Sequence, residues 1–261
     1  VCYLFAGGES IAATARSVKF DNNAESINIG STTSKSTDLN FGSGDFTWEC
    51  WIKPETGQSS YPRVIHNNVN DNGWNNDVST IIWYHSSQPK RISFFVYNHD
   101  QSGSNPSLRS HEHEWNGDGQ WHHVAVTRSG NTFRLFADGV LEDTLTWTGS
   151  LDSGPAFAGI GQRPSGSGVA EYFKGSISNV RLVKGTAVYT SSFRPPTEPL
   201  TNITNTVLLC CNNNSVTGST VTPLTISSGG SPTALSDSPF DDPAGFVFGE
   251  NEDQNVIKCG S

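Results

Sequence analysis

The sequence predicts an all-β protein, built as an antiparallel two-sheet β-sandwich (jelly roll) with irregular N- and C-terminal extensions. Three observations predict this fold. Short runs in which apolar and polar residues alternate recur along the chain, as in half-buried strands. Turn-forming Gly, Asn and Asp separate many of these runs. The 261 residues include 26 Gly and only 16% charged residues, which is typical of short strands joined by turns rather than of helices.

The strand-like runs follow one another at short intervals. In chain order they are residues 17–20, 26–29, 46–52, 80–84, 92–97, 123–127, 132–136 and 206–210. Ser129-Gly130-Asn131 and Ala137-Asp138-Gly139 connect neighbouring runs. Because Asn, Asp and Gly tolerate positive φ, both connections indicate tight antiparallel hairpins.

Composition divides the chain into three parts. We expect residues 1–15 to be an N-terminal strand and connector from a flanking module, and residues 16–210 to be the jelly roll. Residues 211–261 are expected to be a loop-rich extension and C-terminal connector, because residues 211–244 are rich in Asn, Ser, Thr, Gly and Pro. The sequence contains no Met, so we expect a processed or excised piece of a longer chain.

Charge and cysteine content narrow the classes of partner. The formal net charge of −9 is unfavourable for contact with a phosphate backbone or an anionic lipid surface, so we predict neither a nucleic acid nor a membrane partner. The five Cys, at positions 2, 50, 210, 211 and 259, are odd in number and include an adjacent pair. We therefore expect reduced, mostly buried thiols rather than a disulfide framework, as in a protein assembled in a reducing cytoplasm.

One hairpin carries a specific family motif. Gly119-Gln120-Trp121-His122-His123-Val124-Ala125-Val126-Thr127-Arg128, followed by Leu135-Phe136-Ala137-Asp138-Gly139, resembles the W-H-H-V-A-V-T-R … L-F-x-D-G hairpin of laminin-G-like, concanavalin A-like domains. Three further segments match that family in its order, namely residues 18–21, 45–52 and 175–182. The resemblance covers roughly residues 16–210 and implies a concanavalin A-like jelly roll.

A second segment suggests a narrower context. Residues 184–196, Lys-Gly-Thr-Ala-Val-Tyr-Thr-Ser-Ser-Phe-Arg-Pro-Pro, are similar to the tail of this domain in large virion proteins of tailed phages, notably marine ones. The resemblance implies a non-catalytic tail fibre or appendage module on the virion surface, assembled in the host cytoplasm. Its implied partners are other virion subunits and a host-surface glycan, and its implied state is a homo-oligomer, with a trimer expected.

Two loops carry candidate ligand-binding residues. A carbohydrate site needs an exposed aromatic side chain beside amide and carboxylate groups. Trp74 lies between Asn72 and Asn75 in an Asn-rich stretch, and Trp115 follows His113 in a polar stretch. We predict that Trp74 or Trp115 is exposed and contacts a ligand, with Asn72, Asn75 and His113 in the site.

The Asn-rich stretch also suggests calcium. Oxygen-bearing side chains occupy alternate positions before Gly73, as at the start of a calcium loop. Ser79 stands where an EF-hand would need its bidentate Glu, which excludes an EF-hand. A looser calcium site, with candidate ligands Asp71, Asp77 and Asp21, is one interpretation, and a solvated loop without metal is the other.

An enzyme is not expected. Glycosidases of this broad fold use two carboxylates that face one another, but Glu49 is alone on its strand. Glu142 and Asp143 are adjacent, so on a strand they point to opposite faces. The alternatives to host attachment are a structural or capsid-decorating module that contacts only virion subunits, a secreted lectin, and a glycoside hydrolase.

Overall fold

The structure, a computed structural model, describes residues 16–21, 24–59, 61–68, 78–82, 91–97, 106–151, 154–162 and 171–240. In these ranges the chain forms β-strands, one 3-10 helix at Thr37–Leu39 and no α-helix. The predicted all-β antiparallel sandwich is confirmed. Its strands are β1 (Ser17–Asp21), β2 (Ser26–Ile29), β3 (Phe46–Pro54), β4 (Arg63–Asn68), β5 (Val78–Ile82), β6 (Ser93–Tyr97), β7 (Ser107–Arg109), β8 (His122–Ser129), β9 (Thr132–Ala137), β10 (Val140–Thr146), β11 (Phe157–Ile160), β12 (Lys174–Lys184), β13 (Thr206–Cys210), β14 (Ser219–Val221), β15 (Ile226–Gly229) and β16 (Thr233–Leu235).

The strands form two sheets. Sheet A runs in the order β10-β9-β8-β3-β12-β1-β16, with β13 also paired to β12 and β14 paired to β13. Sheet B runs in the order β15-β2-β11-β4-β5-β6-β7. Strands distant in sequence lie side by side, as β3 does between β8 and β12. The connections therefore cross between the sheets, as in a jelly roll.

The two hairpins predicted from Gly, Asn and Asp are present. Asp138 and Gly139 have φ values of 48° and 77°, the pattern of the turn that best matches strand twist. At Gly130 φ is 59°, between the paired residues Ser129 and Thr132. A side-chain carbon at Gly139 would overlap the carbonyl oxygen of Phe193, so both space and φ require glycine there.

An aromatic cluster joins the inner faces of the sheets. Phe94 in sheet B lies 5.8 Å from Trp48 in sheet A, with the rings perpendicular. Phe46 and Phe133, also in sheet A, lie 6.4 Å and 6.3 Å from the Phe94 ring. All four side chains are buried, and such edge-on and offset ring pairs are favourable beyond their buried area.

A segment after β12 covers the outer face of sheet A. We call residues 185–200 the strap. Thr47 of β3 donates a hydrogen bond to the Thr186 carbonyl at 2.9 Å, and Thr127 of β8 donates to the Tyr189 carbonyl at 2.8 Å. The Phe193 amide donates to the Gly139 carbonyl at 2.8 Å. Polar side chains on the outer face of the sheet thus satisfy the backbone of an irregular segment.

Residues 211–244 differ from the prediction. They were expected to be loops, but β14, β15 and β16 lie within them. β15 pairs with β2 at the edge of sheet B, and β16 pairs with β1 at the edge of sheet A. The loop prediction is therefore wrong for these three strands. All three strands are short and largely polar. β15 and β16 pair with strands distant along the chain, whereas β14 pairs with the preceding strand β13.

Three of the five cysteines fall within the described residues. Cys50, Cys210 and Cys211 are free and buried, as the sequence predicts, while Cys2 and Cys259 lie outside the described ranges. No helix among the described residues is long and apolar enough to cross a membrane.

Candidate functional site

The Asn-rich stretch predicted to bind a ligand lies outside the described residues. It connects β4 to β5 and contains five of the predicted site residues, namely Asp71, Asn72, Trp74, Asn75 and Asp77. Their roles in binding glycan or calcium therefore stay predictions. The other three, Asp21, His113 and Trp115, are described.

Trp115 is not an exposed platform. Its side chain is only 7% exposed, because its ring is stacked between two histidines. The His113 ring lies 4.3 Å from it with an interplanar angle of 20°, and the His122 ring lies 4.0 Å away at 7°. The expectation of an exposed Trp115 is wrong: the indole anchors the loop before β8 to the sheet.

Carboxylates fix the orientation of His122 and influence the pKa of both histidines. His122 forms hydrogen bonds through both ring nitrogens, to Asp138 at 2.8 Å and to Asp118 at 3.0 Å. Burial lowers the pKa of His122, but the hydrogen bonds and charges of Asp138 and Asp118 outweigh it, so the net pKa is raised. Burial is also the largest influence on His113, whose pKa is lowered although Glu142 acts in the opposite direction.

The described residues around Asp21 do not form a calcium site. It ends β1, its side chain is 59% exposed, and its carboxylate lies 4.0 Å from the ammonium of Lys19. Across the described ranges no group of three His, Cys, Asp or Glu side chains is placed to hold a metal ion. Because calcium takes six to eight oxygen ligands, Asp21 would need several donors from elsewhere.

Glu49, the lone acid of β3, belongs to a buried network under the strap. Its carboxylate accepts hydrogen bonds from Arg181 at 2.8 Å and from the Tyr189 hydroxyl at 2.8 Å, and lies 3.3 Å from His123. Burial raises the pKa of Glu49, but His123 and Arg181 outweigh it, so the net pKa is lowered. Glu49 is completely buried. Its role is therefore structural, because a substrate has no access to its carboxylate.

An open depression of about 330 Å³ lies where the strap crosses the outer face of β3. Its lining is Trp51 from the sheet, residues 194–197 from the strap, and Pro239. We call it the Trp51 depression. It presents an indole, three prolines, a hydroxyl and the Arg194 guanidinium, and no carboxylate among the described residues. Hydrolysis of a glycoside uses a pair of acids, and the described lining of this depression contains none.

The sequence alone does not predict the Trp51 depression. Alternation along β3 places Trp51 on the face opposite Trp48, which is a usable signal, and residues 194–199 are visibly proline-rich. Nothing in the sequence indicates that these segments and Pro239 meet.

Comparison with known families identifies the family to which this sandwich belongs. The model of the family Laminin_G_3, described as the Concanavalin A-like lectin/glucanases superfamily, matches residues 23–187, which is more than half of the chain. This chain belongs to that superfamily. The predicted family is thereby confirmed, whereas the match does not bear on a phage context.

Solved structures of the superfamily share the fold at low identity. A candidate carbohydrate-binding protein from Bacteroides ovatus ATCC 8483 aligns with a TM-score of 0.61 at 14% identity, covering 88% of this chain and 62% of that one. The CBM40 of the Ruminococcus gnavus IT-sialidase aligns with a TM-score of 0.51 at 14% identity, covering 70% and 95%. A structure of NanB with Optactamide gives 0.52 at 16% identity, covering 70% and 28%. At these identities the likeness shows the fold alone.

A comparison with curated proteins finds no significant match.

Proposed function

We propose that this domain is a non-catalytic carbohydrate-binding module. The observation that carries the proposal is the Trp51 depression, an open surface with an indole, prolines and a guanidinium but no acid pair. Its exposed lining is more polar than apolar, and polar groups beside an aromatic ring fix the orientation of a bound ligand. The fold supports the same function, since two structural neighbours are described as carbohydrate-binding. Burial of Glu49 in an ion-paired network argues against glycoside hydrolysis.

The proposed setting is the surface of a phage virion. The support is the similarity of residues 184–196 to the tail of this domain in phage virion proteins. In that setting the module adheres to a host-surface glycan, contacts other virion subunits and forms a homo-oligomer, with a trimer as the proposed state. We propose the loop with Asn72, Trp74 and Asn75 as a further glycan contact, and calcium held by Asp71 and Asp77 with Asp21 as an additional candidate.

The test is binding of the purified chain to candidate host cells and to their envelope polysaccharide. Measurements are made with calcium, with EDTA, and after calcium is restored. We expect saturable binding, at least a tenfold loss of affinity on Trp74→Ala, and a loss with EDTA that calcium reverses. Thr144→Ala is the control, because Thr144 is exposed on the edge strand β10 and is not among the residues proposed to bind.

Three results would separate the parts of the proposal. Binding that EDTA does not change contradicts the calcium site while leaving adhesion intact. Binding that survives Trp74→Ala contradicts the loop contact. If the folded chain binds no glycan at high micromolar concentration, carbohydrate binding is wrong, and a structural module that contacts only virion subunits is favoured.

A further inference from the structure

The Trp51 depression contains two hydrogen-bond donors without partners. The Trp51 side chain is only 8% exposed, and its indole nitrogen is buried with no hydrogen-bond partner in the described chain. Arg194 lies at the rim, is exposed, and has no carboxylate within ion-pair distance among the described residues. A buried donor left without an acceptor costs about 1–3 kcal/mol, so an acceptor that reaches the indole would be favoured.

Two nearby charged groups, Asp237 and Lys53, are already paired with each other, whereas Glu198 is exposed on the strap. Asp237 accepts a hydrogen bond from Lys53 at 2.9 Å and one from the Trp121 indole at 3.4 Å. The Lys53 ammonium also lies 5.8 Å from the centre of the Trp121 ring. These contacts satisfy Asp237, so the guanidinium of Arg194 is the cation left for a ligand, although the chain carries a net charge of −9.

Three prolines form rigid parts of the wall of the depression. Pro195, Pro196 and Pro239 present fixed rings, and the Trp51 indole is held by Phe240 at 5.8 Å and by His123 at 5.0 Å, both nearly edge-on. Rigid walls lose little conformational entropy when a ligand binds. They suit the C–H face of a sugar ring, whereas the two donors suit negatively charged oxygen.

We propose that the Trp51 depression binds a saccharide that bears a carboxylate, such as a uronic acid unit. Arg194 pairs with the carboxylate, because a guanidinium matches a carboxylate with two parallel hydrogen bonds. The prolines pack against the sugar ring, over the largely buried Trp51 indole. The volume of about 330 Å³ is at the small end of ligand sites, about 300–1,000 Å³, so the ligand is short. This inference rests on the proposed carbohydrate-binding function and adds the ligand class.

The test compares a carboxylated saccharide with its neutral counterpart. The whole chain is titrated by calorimetry with an oligogalacturonate, with the same oligosaccharide after reduction of its carboxyl groups, and with a hyaluronan tetrasaccharide. We expect at least tenfold tighter binding of one or both carboxylated probes than of the reduced one. Arg194→Gln should weaken carboxylate binding at least tenfold, and Arg194→Lys should be intermediate, because lysine keeps the charge but not the planar pair of donors.

The matched control is Arg109→Gln, since Arg109 is an exposed arginine of β7 in the other sheet. A general effect of positive charge would lower affinity equally in Arg109→Gln and Arg194→Gln, and that result would overturn the site. Quenching of tryptophan fluorescence by the carboxylated probe that persists in Trp74→Ala and is lost in Arg194→Gln would support binding at the Trp51 depression.

The remaining outcomes distinguish this inference from the function on which it rests. Equal affinity for carboxylated and reduced probes, unaffected by Arg194→Gln, contradicts the ligand class while the binding function stands. Host polysaccharide binding that depends on Trp74 but not on Arg194 also contradicts this site alone. Absence of binding to every probe and to host polysaccharide contradicts both.

Discussion

At the scale of single residues, His122 is the side chain that holds the segment before β8 in place. Its ring stacks on Trp115 at 4.0 Å, and its two nitrogens are held by Asp138 and Asp118. A neutral imidazole carries one proton, so it can donate to only one of two carboxylates, whereas the imidazolium donates to both. The arrangement therefore favours the charged form.

This preference predicts that His122 stabilises the protein more in acid than in alkali. The pKa of His122 in the folded state is raised above its ordinary value of 6.5. A histidine whose pKa is raised by folding stabilises the protein fully at pH values below its unfolded-state pKa. This stabilisation is lost as the pH rises through its folded-state pKa. We expect the difference in unfolding free energy between wild type and His122→Gln to be largest near pH 5.5 and to shrink by pH 8. Urea unfolding at several pH values measures it.

Asp138→Asn provides the matched variant. Asparagine tolerates the positive φ of this turn position and can still accept the hydrogen bond from the His123 amide, but it removes the charge beside His122. We expect it to abolish most of the pH-dependent difference. If its unfolding free energy follows the wild-type pH profile without change, the ion pair is not the cause.

At the scale of elements, the strap is fixed to sheet A by a buried ionic network. Glu49 accepts hydrogen bonds from Arg181 of β12 and from Tyr189 of the strap. Tyr189 in turn stacks on Phe193 with ring centres 3.6 Å apart. One carboxylate thus joins two strands of the sheet to an irregular segment, and that segment forms most of the lining of the Trp51 depression.

Glu49→Gln should destabilise the protein strongly. The substitution keeps the shape of the side chain but leaves the Arg181 guanidinium, which is 5% exposed, without its counter-charge. Removing one partner of a buried ion pair costs about 3–5 kcal/mol. Chemical denaturation gives this difference as a lower midpoint at an unchanged slope. Glu198→Gln is the control, because Glu198 is exposed on the strap and should change stability by less than about 0.5 kcal/mol.

The stabilisation that the same network provides should be lost in acid. The pKa of Glu49 is lowered in the folded state, so its contribution is present above the ordinary value of 4.5 and is lost as the pH falls through the folded-state pKa. The stability difference between wild type and Glu49→Gln should therefore narrow below pH 4.5. A difference that stays constant into stronger acid would contradict the assigned ion pair.

At the scale of the whole molecule, the strands that the sequence predicts correctly are those whose own residues form a recognisable pattern. The hairpin β8–β9–β10 is predicted because apolar residues alternate along it and because Gly130 and Gly139 mark its turns. β14 to β16 carry no such signal. Ser219–Val221 and Thr233–Leu235 are three-residue strands, largely polar or small, and each is defined by the strand it pairs with.

The candidate site was also predictable only where neighbouring residues form a pattern. The polar neighbours of Trp115 predict an exposed indole, but His113 and His122 cover both faces of its ring. The Trp51 depression combines Trp51 of β3 with strap residues and Pro239, which follow Trp51 in the sequence by more than 140 positions. Such a juxtaposition is a property of the topology, so no local pattern predicts it.

The C-terminal strands should be essential to the sandwich as a whole. β15 covers the edge strand β2, β16 covers β1, and Phe240 packs on Trp51. A chain ending at Cys211 would expose both edges and the indole, and uncovered edge strands favour aggregation. We expect it to melt well below the full chain, or to be insoluble. A chain ending at Phe240 retains every described strand and is the control. Equal melting temperatures of the two shortened chains, measured by calorimetry, would contradict this role, because loss of a buried aromatic residue alone costs about 3–5 kcal/mol.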